Sequence, residues 1–413
     1  MARPPRDVTR RQADVDAGAR HAAHLRPLNL DRVLTFAIDR LGAFTRSEVI
    51  EATGLSAPTV GTLCDHLIRR GVVTDLGAAP SRGGRRPASM QFNARHRFVA
   101  GIDIGPTKTR LAVADLRGEP LQHRVVATPN HGRPEEVLSR IADETRALLN
   151  DVRVPTTRVL GVAAGAPGVI DRELGVVVEF APNLEGWSQV PMAAILRHAL
   201  GAPVVVENDV NLAILGERWR GAARGHDTCA FITVGTGIGA GVVVNGQLYH
   251  GRHFMAGEIA LMCMGPQYVG TDFGTRGCLE TLAGLKAIAA RWSDPGRVPP
   301  DGWVRALFDA ASGGDPLARG IVDETATLIG IATANLSIVL DPSLIVLGGA
   351  LFAQAPELAD DVRRIVSRIV PTPSAIVLSA LDKEAPLWGS LLVATLAARQ
   401  RLRQQLGRDL AGH

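Results

Sequence analysis

Gly101-Ile102-Asp103-Ile104-Gly105-Pro106-Thr107-Lys108 reads as an apolar strand running into a turn that carries one carboxylate, one hydroxyl and one cation. In a nucleotide-using enzyme, such an Asp103 organises Mg²⁺ through water. Thr107, Lys108 and the backbone NH groups around Gly105 then meet phosphate oxygens. An ordinary surface turn can have the same composition, so the surroundings must decide. From Phe98 onward apolar strands alternate with helical stretches, the pattern of an α/β architecture.

Downstream, two loop segments follow, Gly165-Ala166-Pro167-Gly168 and Ala181-Pro182-Asn183-Leu184-Glu185-Gly186-Trp187. Their small residues permit close backbone approach, and the Asn183 amide can bond hydroxyls, although either segment can also be a plain turn. Val204-Val205-Val206-Glu207-Asn208-Asp209 is an apolar strand ending in three polar side chains, and strand ends are where α/β sheets place ligands. Thr233-Val234-Gly235-Thr236-Gly237-Ile238-Gly239-Ala240-Gly241 follows another strand with successive glycines. Such a run lets a phosphate, or a second backbone, come close. Gly257-Glu258-Ile259-Ala260 and Gly274-Thr275-Arg276-Gly277-Cys278-Leu279-Glu280 add carboxylates, which read vicinal hydroxyls because each accepts two hydrogen bonds.

Upstream, charge is unevenly spread. The first 98 residues hold 16 Arg, no Lys and nine acids, a surplus of seven positive charges against +4 for the whole 413-residue chain. A basic front end on a mildly acidic body suits phosphate-backbone binding by one module, or a solvated arginine-rich tail. Residues 1 to 26 lack apolar periodicity and read as a disordered arm. Leu30, Val33, Leu34, Ala37, Ile38 and Leu41 then recur at helical steps up to Gly42. Thr45 with Glu48 forms a capping box for a second helix that Gly54 breaks. Gly54-Leu55-Ser56-Ala57-Pro58-Thr59-Val60 supplies a tight turn, a Ser N-cap and a first-turn Pro for a third helix. That is helix-turn-helix grammar, with Ser56, Ala57, Thr59, Val60 and Thr62 expected at the helix end that reaches base edges. Val72-Val73-Thr74 and Met90-Gln91-Phe92 read as strands flanking a basic wing with Arg82, Arg85 and Arg86, suited to phosphates or a narrow minor groove. Three helices and a hairpin can also serve as a protein-interaction module.

In order and spacing, the motifs after residue 98 resemble ROK (repressor, ORF, kinase) family sugar kinases and repressors. The first hundred residues resemble the DNA-binding domain of ROK repressors, including Gly84-Arg85-Arg86-Pro87 at the close of the wing, where that family usually shows Gly-Arg-Pro. The resemblance implies a winged helix-turn-helix followed by a two-lobed, actin-like ATPase body of α/β class. Its expected divisions are an arm (1–26), a DNA-binding domain (27–95), a first lobe (96–208, completed by the C-terminal helix 386–413) and a second lobe (209–385). Sugar would be held by Asn183, Asn208, Asp209, Glu258 and Glu280. Asp209 would be the general base if the chain transfers phosphate. Nucleotide would lie near Asp103, Gly105, Thr107, Lys108, Gly235, Thr236, Gly237 and Gly239, with adenosine near Gly348-Gly349 after the strand Leu344-Ile345-Val346-Leu347.

Three departures shape the functional expectation. Pro106 stands where the family's phosphate turn has a second glycine; it removes an NH donor and fixes φ near −65°, so ATP and Mg²⁺ binding should suffer. The family's zinc-ligand positions hold Leu261, Thr271, Phe273 and Cys278. Tetrahedral zinc needs four ligands, so no metal is expected, a rescue through Cys263 aside. Leu261 also replaces a His that helps hold sugar in the kinases.

The expected function is therefore a sugar-responsive, DNA-binding transcriptional regulator of carbohydrate metabolism genes, of repressor type. It would take a double-stranded DNA operator and a sugar or sugar derivative as partners, act as a homodimer or higher homo-oligomer, and need no cofactor. The alternatives are an ATP-dependent, glucokinase-like sugar kinase, possibly bifunctional, and a scaffold that binds a transport component. Cys64, Cys229, Cys263 and Cys278 are scattered as free thiols suit, and no long uncharged apolar run or secretory leader occurs, so a cytoplasmic location away from membranes is expected.

Overall fold

The computed structural model describes residues 26–78, 88–129, 132–179, 186–274, 276–292 and 302–411. The expected arm up to residue 25, the wing arginines Arg82, Arg85 and Arg86, and Asn183 lie outside them. The chain divides into two compact units.

The first unit comprises the described residues up to Val99, the turn Asp115–Glu119 and the chain from Thr395 on. Helix α1 (26–39) buries Leu30, Val33, Leu34, Ala37 and Ile38 along one face, as their spacing predicts. Leu41, expected on that face, is 83% exposed because the helix stops before it. Arg117 accounts for the early stop: its guanidinium donates to the Ile38 carbonyl at 2.6 Å and the Arg40 carbonyl at 2.7 Å, so the final carbonyls are satisfied without another turn. Strand β1 (Phe44–Thr45) leads into α2 (Arg46–Thr53), where the Thr45–Glu48 capping box forms and Gly54 closes the helix at φ 67°. Helix α3 (Ala57–Arg69) starts on the Ser56 hydroxyl, which accepts from the Thr59 NH. Strands β2 (Val73–Ala78) and β3 (Ala88–Phe92) complete a sheet of order β1-β3-β2. Phe44 faces Met90 across it, a pairing too short to read from periodicity. Three helices and a three-stranded sheet in this order are consistent with a helix-turn-helix unit, and the loop expected as its wing lies outside the described residues.

The second unit contains two sheets with one topology. In the first, β4 (Phe98–Ile104), β5 (Lys108–Asp115), β6 (Pro120–Ala127), β7 (Val159–Ala166) and β10 (Val204–Asn208) lie in the order β10-β7-β4-β5-β6, with a small hairpin, β8 (Val169–Asp171) and β9 (Val176–Glu179), inserted after β7. In the second, β11 (Cys229–Val234), β12 (Ile238–Val244), β13 (Gln247–Leu248), β14 (Leu344–Gly348) and β15 (Ala375–Leu378) lie in the order β13-β12-β11-β14-β15. Numbered within each lobe, both orders are 3-2-1-4-5, so the fold is an α/β unit used twice. Helices α4 (Pro134–Asp151) and α5 (Met192–Leu200) belong to the first lobe, and α6 (Asp209–Arg220) follows β10. The second lobe carries α7 (Cys278–Ala283), α8 (Leu285–Trp292), α9 (Trp303–Ser312), α10 (Pro316–Leu340), α11 (Ala350–Gln354) and α12 (Leu358–Ile369). Apolar β11 and β14 pair in parallel and bury Ile232, Val234, Ile345 and Leu347 in one core with Ile321, Ile329 and Val362 of α10 and α12. The last helix, α13 (Ala385–Ala411), contributes its opening turns to this unit and the rest to the first.

Where α13 meets α6 the backbones touch. A Cβ on Gly389 would sit 1.9 Å from the Leu212 carbonyl oxygen, and one on Gly216 2.2 Å from that of Ala385. Neither position has room for a methyl group, and no side-chain movement relieves a clash with backbone. Gly389→Ala is therefore expected to destabilise the chain by about 3 kcal/mol or more. Equilibrium urea unfolding checks this; a change within about 0.5 kcal/mol would contradict the crossing.

Candidate functional site

The β10–α6 junction sets the site. Strand alternation points Glu207 and Asn208 to opposite sides. Glu207 is buried and accepts from the Asn208 NH, from Asn211 Nδ2 at 3.0 Å, and lies 2.8 Å from His250 Nε2, with Arg172 at 3.8 Å. It braces the junction. Asn208 is the N-cap of α6: its Oδ1 accepts from the Val210 and Asn211 NH groups at 2.8 and 3.0 Å, and its Nδ2 donates to the Gly168 carbonyl at 3.0 Å. One amide N–H of Asn208 is left for a ligand.

Asn208, Asp209, Glu258 and Glu280, scattered over 73 positions of sequence, line a single cavity with Gly235, Thr236, Gly237 and Gly239. Gly257 makes this possible. At φ 92° it packs so tightly on β12 that a Cβ would lie 1.9 Å from the Ala240 carbonyl oxygen, which aims the neighbouring Glu258 into the cavity. Glu280, at the start of α7, is buried and accepts from the Ile238 NH at 3.0 Å, tying α7 to the glycine hairpin. Gly235 and Gly237 bond each other across that hairpin turn, while Gly239 gives room for Val210 of α6. The glycine run thus serves close packing as well as lining the cavity.

The three acids share one environment. Burial pushes the Asp209 carboxyl up to about 6. Burial first, then the charges of Asp209 and Glu280, pushes Glu258 up to about 7. Burial also raises Glu280, opposed by the Ile238 NH. Between the ordinary 4.5 and about 7, folded Glu258 holds a proton that the unfolded chain has released. Its contribution to stability is therefore full at acid pH and is lost as pH rises through 7. Glu258→Gln removes this loss and is expected to stabilise the ligand-free chain by about 1–2 kcal/mol more at pH 8 than at pH 5. Thermal melts at the two pH values test it, and an offset independent of pH would contradict the shift.

Asp209, Val210 and Thr233 also line a second cavity, with Asp103, Gly105, Arg110, Gly349 and Lys383. Asp103 is buried, and burial, with the Asp209 charge behind it, pushes its carboxyl up to about 7 against the pull of Arg110. Asp209 therefore stands where a hydroxyl from one cavity and a group in the other could meet. Thr107 and Lys108 are exposed and line neither cavity. Arg110 and Arg276, which lines the first cavity, were missed by motif reading. Arg110 lies outside the turn motif, on the strand beside the one that carries Asp103, and Arg276 stands inside a quoted motif without a carboxylate's signal.

A family model described as "ROK family" matches residues 99–396. The chain belongs to the ROK family. A xylose repressor of Caldicellulosiruptor bescii is 26% identical over 339 residues, 78% of this chain and 84% of that protein. A glucokinase of Thermotoga maritima is 32% identical over 308 residues, 71% of this chain and 95% of that protein. The crystal structure of a ROK family transcriptional regulator, a homologue of the E. coli MLC protein, superimposes with a TM-score of 0.74 at 23% identity, over 93% of this chain and 99% of that one. ROK relatives thus include both repressors and sugar kinases.

Of the positions expected to hold zinc ligands in the family, Leu261 lines the first cavity, and Phe273 meets Tyr268 edge to face at 5.9 Å between ring centres. The Met264 NH points at Cys278 Sγ at 3.5 Å. Among the described residues no group of three or more His, Cys, Asp or Glu side chains is placed to hold a metal ion. None of the described helices is long and apolar enough to cross a membrane.

At the other candidate interface, Ser56, Ala57 and Thr62 are exposed and Thr59 is half-buried at the amino-terminal end of α3. Val60, expected among the base-reading side chains, is fully buried. It belongs to the apolar face Val60, Leu63, Cys64 and Leu67, whose three- and four-residue steps turn it inward, and it is withdrawn from that set.

Proposed function

We propose that this ROK protein is a sugar-responsive, DNA-binding transcriptional regulator of repressor type acting on carbohydrate metabolism genes. The observation that carries the reading is the unit of three helices and a three-stranded sheet ahead of the ROK domain, which we read as a winged helix-turn-helix, with the polar start of α3 exposed. About 71% of the chain already accounts for 95% of a glucokinase, so this unit lies beyond what a kinase of the family requires. Sugar binds Asn208, Asp209, Glu258 and Glu280, together with Asn183, which lies outside the described residues, and closes the two lobes on each other. A homodimer presents two α3 helices to a near-palindromic operator, and lobe closure alters their relative placement. Helix α13, which contributes residues to both units, is the element through which closure is passed on.

Selection of bound duplexes from random DNA, repeated at several salt concentrations with and without D-xylose or D-glucose, tests the reading. A selective, sugar-sensitive site is expected; purely non-selective binding would overturn it. One observation favours a second reading, an ATP-dependent sugar kinase: Asp209, raised to about 6 between two cavities, is poised as a general base. Sugar-dependent ATP turnover abolished by Asp209→Ala in a folded chain would establish that reading instead.

A further inference from the structure

The second cavity holds Asp103, Gly105 and Gly349 of the residues expected to meet a nucleotide, but its lining does not fit Mg²⁺ and a triphosphate. Asp103 is the carboxylate that would orient the hydrated cation, and it is already engaged. Arg110 reaches across from β5 and places Nη1 3.2 Å from Asp103 Oδ2, while its Nε lies 3.6 Å from Glu384 Oε1. The Arg110 side chain is 16% exposed and that of Asp103 5%, so this ion pair is sheltered rather than a surface contact. Mg²⁺ requires nearly octahedral oxygen ligation and keeps several of its waters, which needs open space around the carboxylate. A guanidinium is planar, permanently charged and filled with donors; it takes that space and repels a second cation.

The turn that would cradle phosphate is closed in the same way. The Gly105 NH donates to the Lys108 carbonyl at 3.0 Å, and Pro106 has no NH to give. Lys108 is exposed and lines neither cavity. Lost donors and a substituted cation therefore coincide at one place.

We propose that Arg110 is a built-in replacement for the divalent cation, which lets the lobes pack around Asp103 while excluding metal–nucleotide. The inference goes beyond the regulator reading and rests on the second cavity alone; its consequence for the first is that Asp209 faces a sugar without a phosphoryl donor on its far side.

Mn²⁺, followed by electron paramagnetic resonance in the presence of the non-hydrolysable ATP analogue AMPPNP, is the probe. The wild-type chain and Arg110→Lys are expected to bind neither Mn²⁺ nor Mn²⁺–AMPPNP. Arg110→Ser is expected to gain Mn²⁺ affinity by roughly ten-fold or more, and Arg110→Ser with Pro106→Gly to gain the nucleotide complex as well. Binding by the wild-type chain overturns the proposal, and so does a folded Arg110→Ser chain that gains nothing. Should Arg110→Ser fail to fold, the wild type and Arg110→Lys carry the test, and Mn²⁺ binding by either overturns it. Selective DNA binding measured on the same preparations separates the two readings. Its absence from the wild type sinks the regulator and leaves the cation replacement standing, whereas metal binding by the wild type does the reverse.

Discussion

Asn208→Ala is expected to weaken sugar binding by roughly a hundred-fold while leaving DNA binding within about two-fold. Asn208 makes three hydrogen bonds at one corner: two that start α6 and one to the Gly168 carbonyl. The substitution also removes the amide N–H left for a ligand, and a buried ligand hydroxyl deprived of its partner costs about 1–3 kcal/mol, up to two decades of affinity. The stability cost is smaller, about 1 kcal/mol, because an N-cap is being removed from a well-packed helix. A thermal-shift titration with D-xylose and with D-glucose separates these effects: the melting temperature without sugar falls slightly, and the sugar-induced rise disappears. An undiminished sugar-induced rise would mean that the ligand sits elsewhere.

Operator affinity is expected to fall by roughly a thousand-fold between 50 and 200 mM salt. A dimer touching six or more phosphates releases that many condensed counterions, and the slope of log K against log salt is about −0.9 per contact. The 16 arginines of the first 98 residues are ample for this. Replacing Arg82, Arg85 and Arg86 by Ala should flatten the slope by about three contacts per head and weaken operator and random DNA alike, because phosphate contacts position without specifying. Substituting Thr59 or Thr62 should instead erode selectivity at a few base pairs, about 1–3 kcal/mol each. A loss of less than about ten-fold over this salt range would remove the electrostatic basis of the regulator reading.

Much of the site was legible because its residues terminate elements that the sequence marks clearly. The apolar run Val204–Val206 had to be a strand, and the polar residues after it had to lie at its end. Thr45, Glu48, Gly54, Ser56 and Pro58 wrote the helix boundaries of the first unit directly, since capping depends on neighbours three residues away. What stayed hidden depends on distant partners. Leu41 obeys the helical period but is left outside, because Arg117, 76 residues later, terminates α1 before it. Val60 has the spacing of both a reading residue and a core residue, and only the packing of α3 distinguishes them. Arg110 falls beyond the recognised turn, and its meaning comes from Asp103 on the adjacent strand. The repeated 3-2-1-4-5 order was invisible because the two lobes share pairing rather than motif.

On the proposed function, sugar in the acidic cavity and DNA at α3 are linked through two states of one molecule, and linkage is reciprocal. The most direct measurement is the dissociation constant for sugar determined twice, on the free chain and on the chain saturated with its operator. A difference of roughly five-fold or more is expected, matched by an equal change in operator affinity when sugar is saturating. Identical sugar affinities in the two states would contradict it.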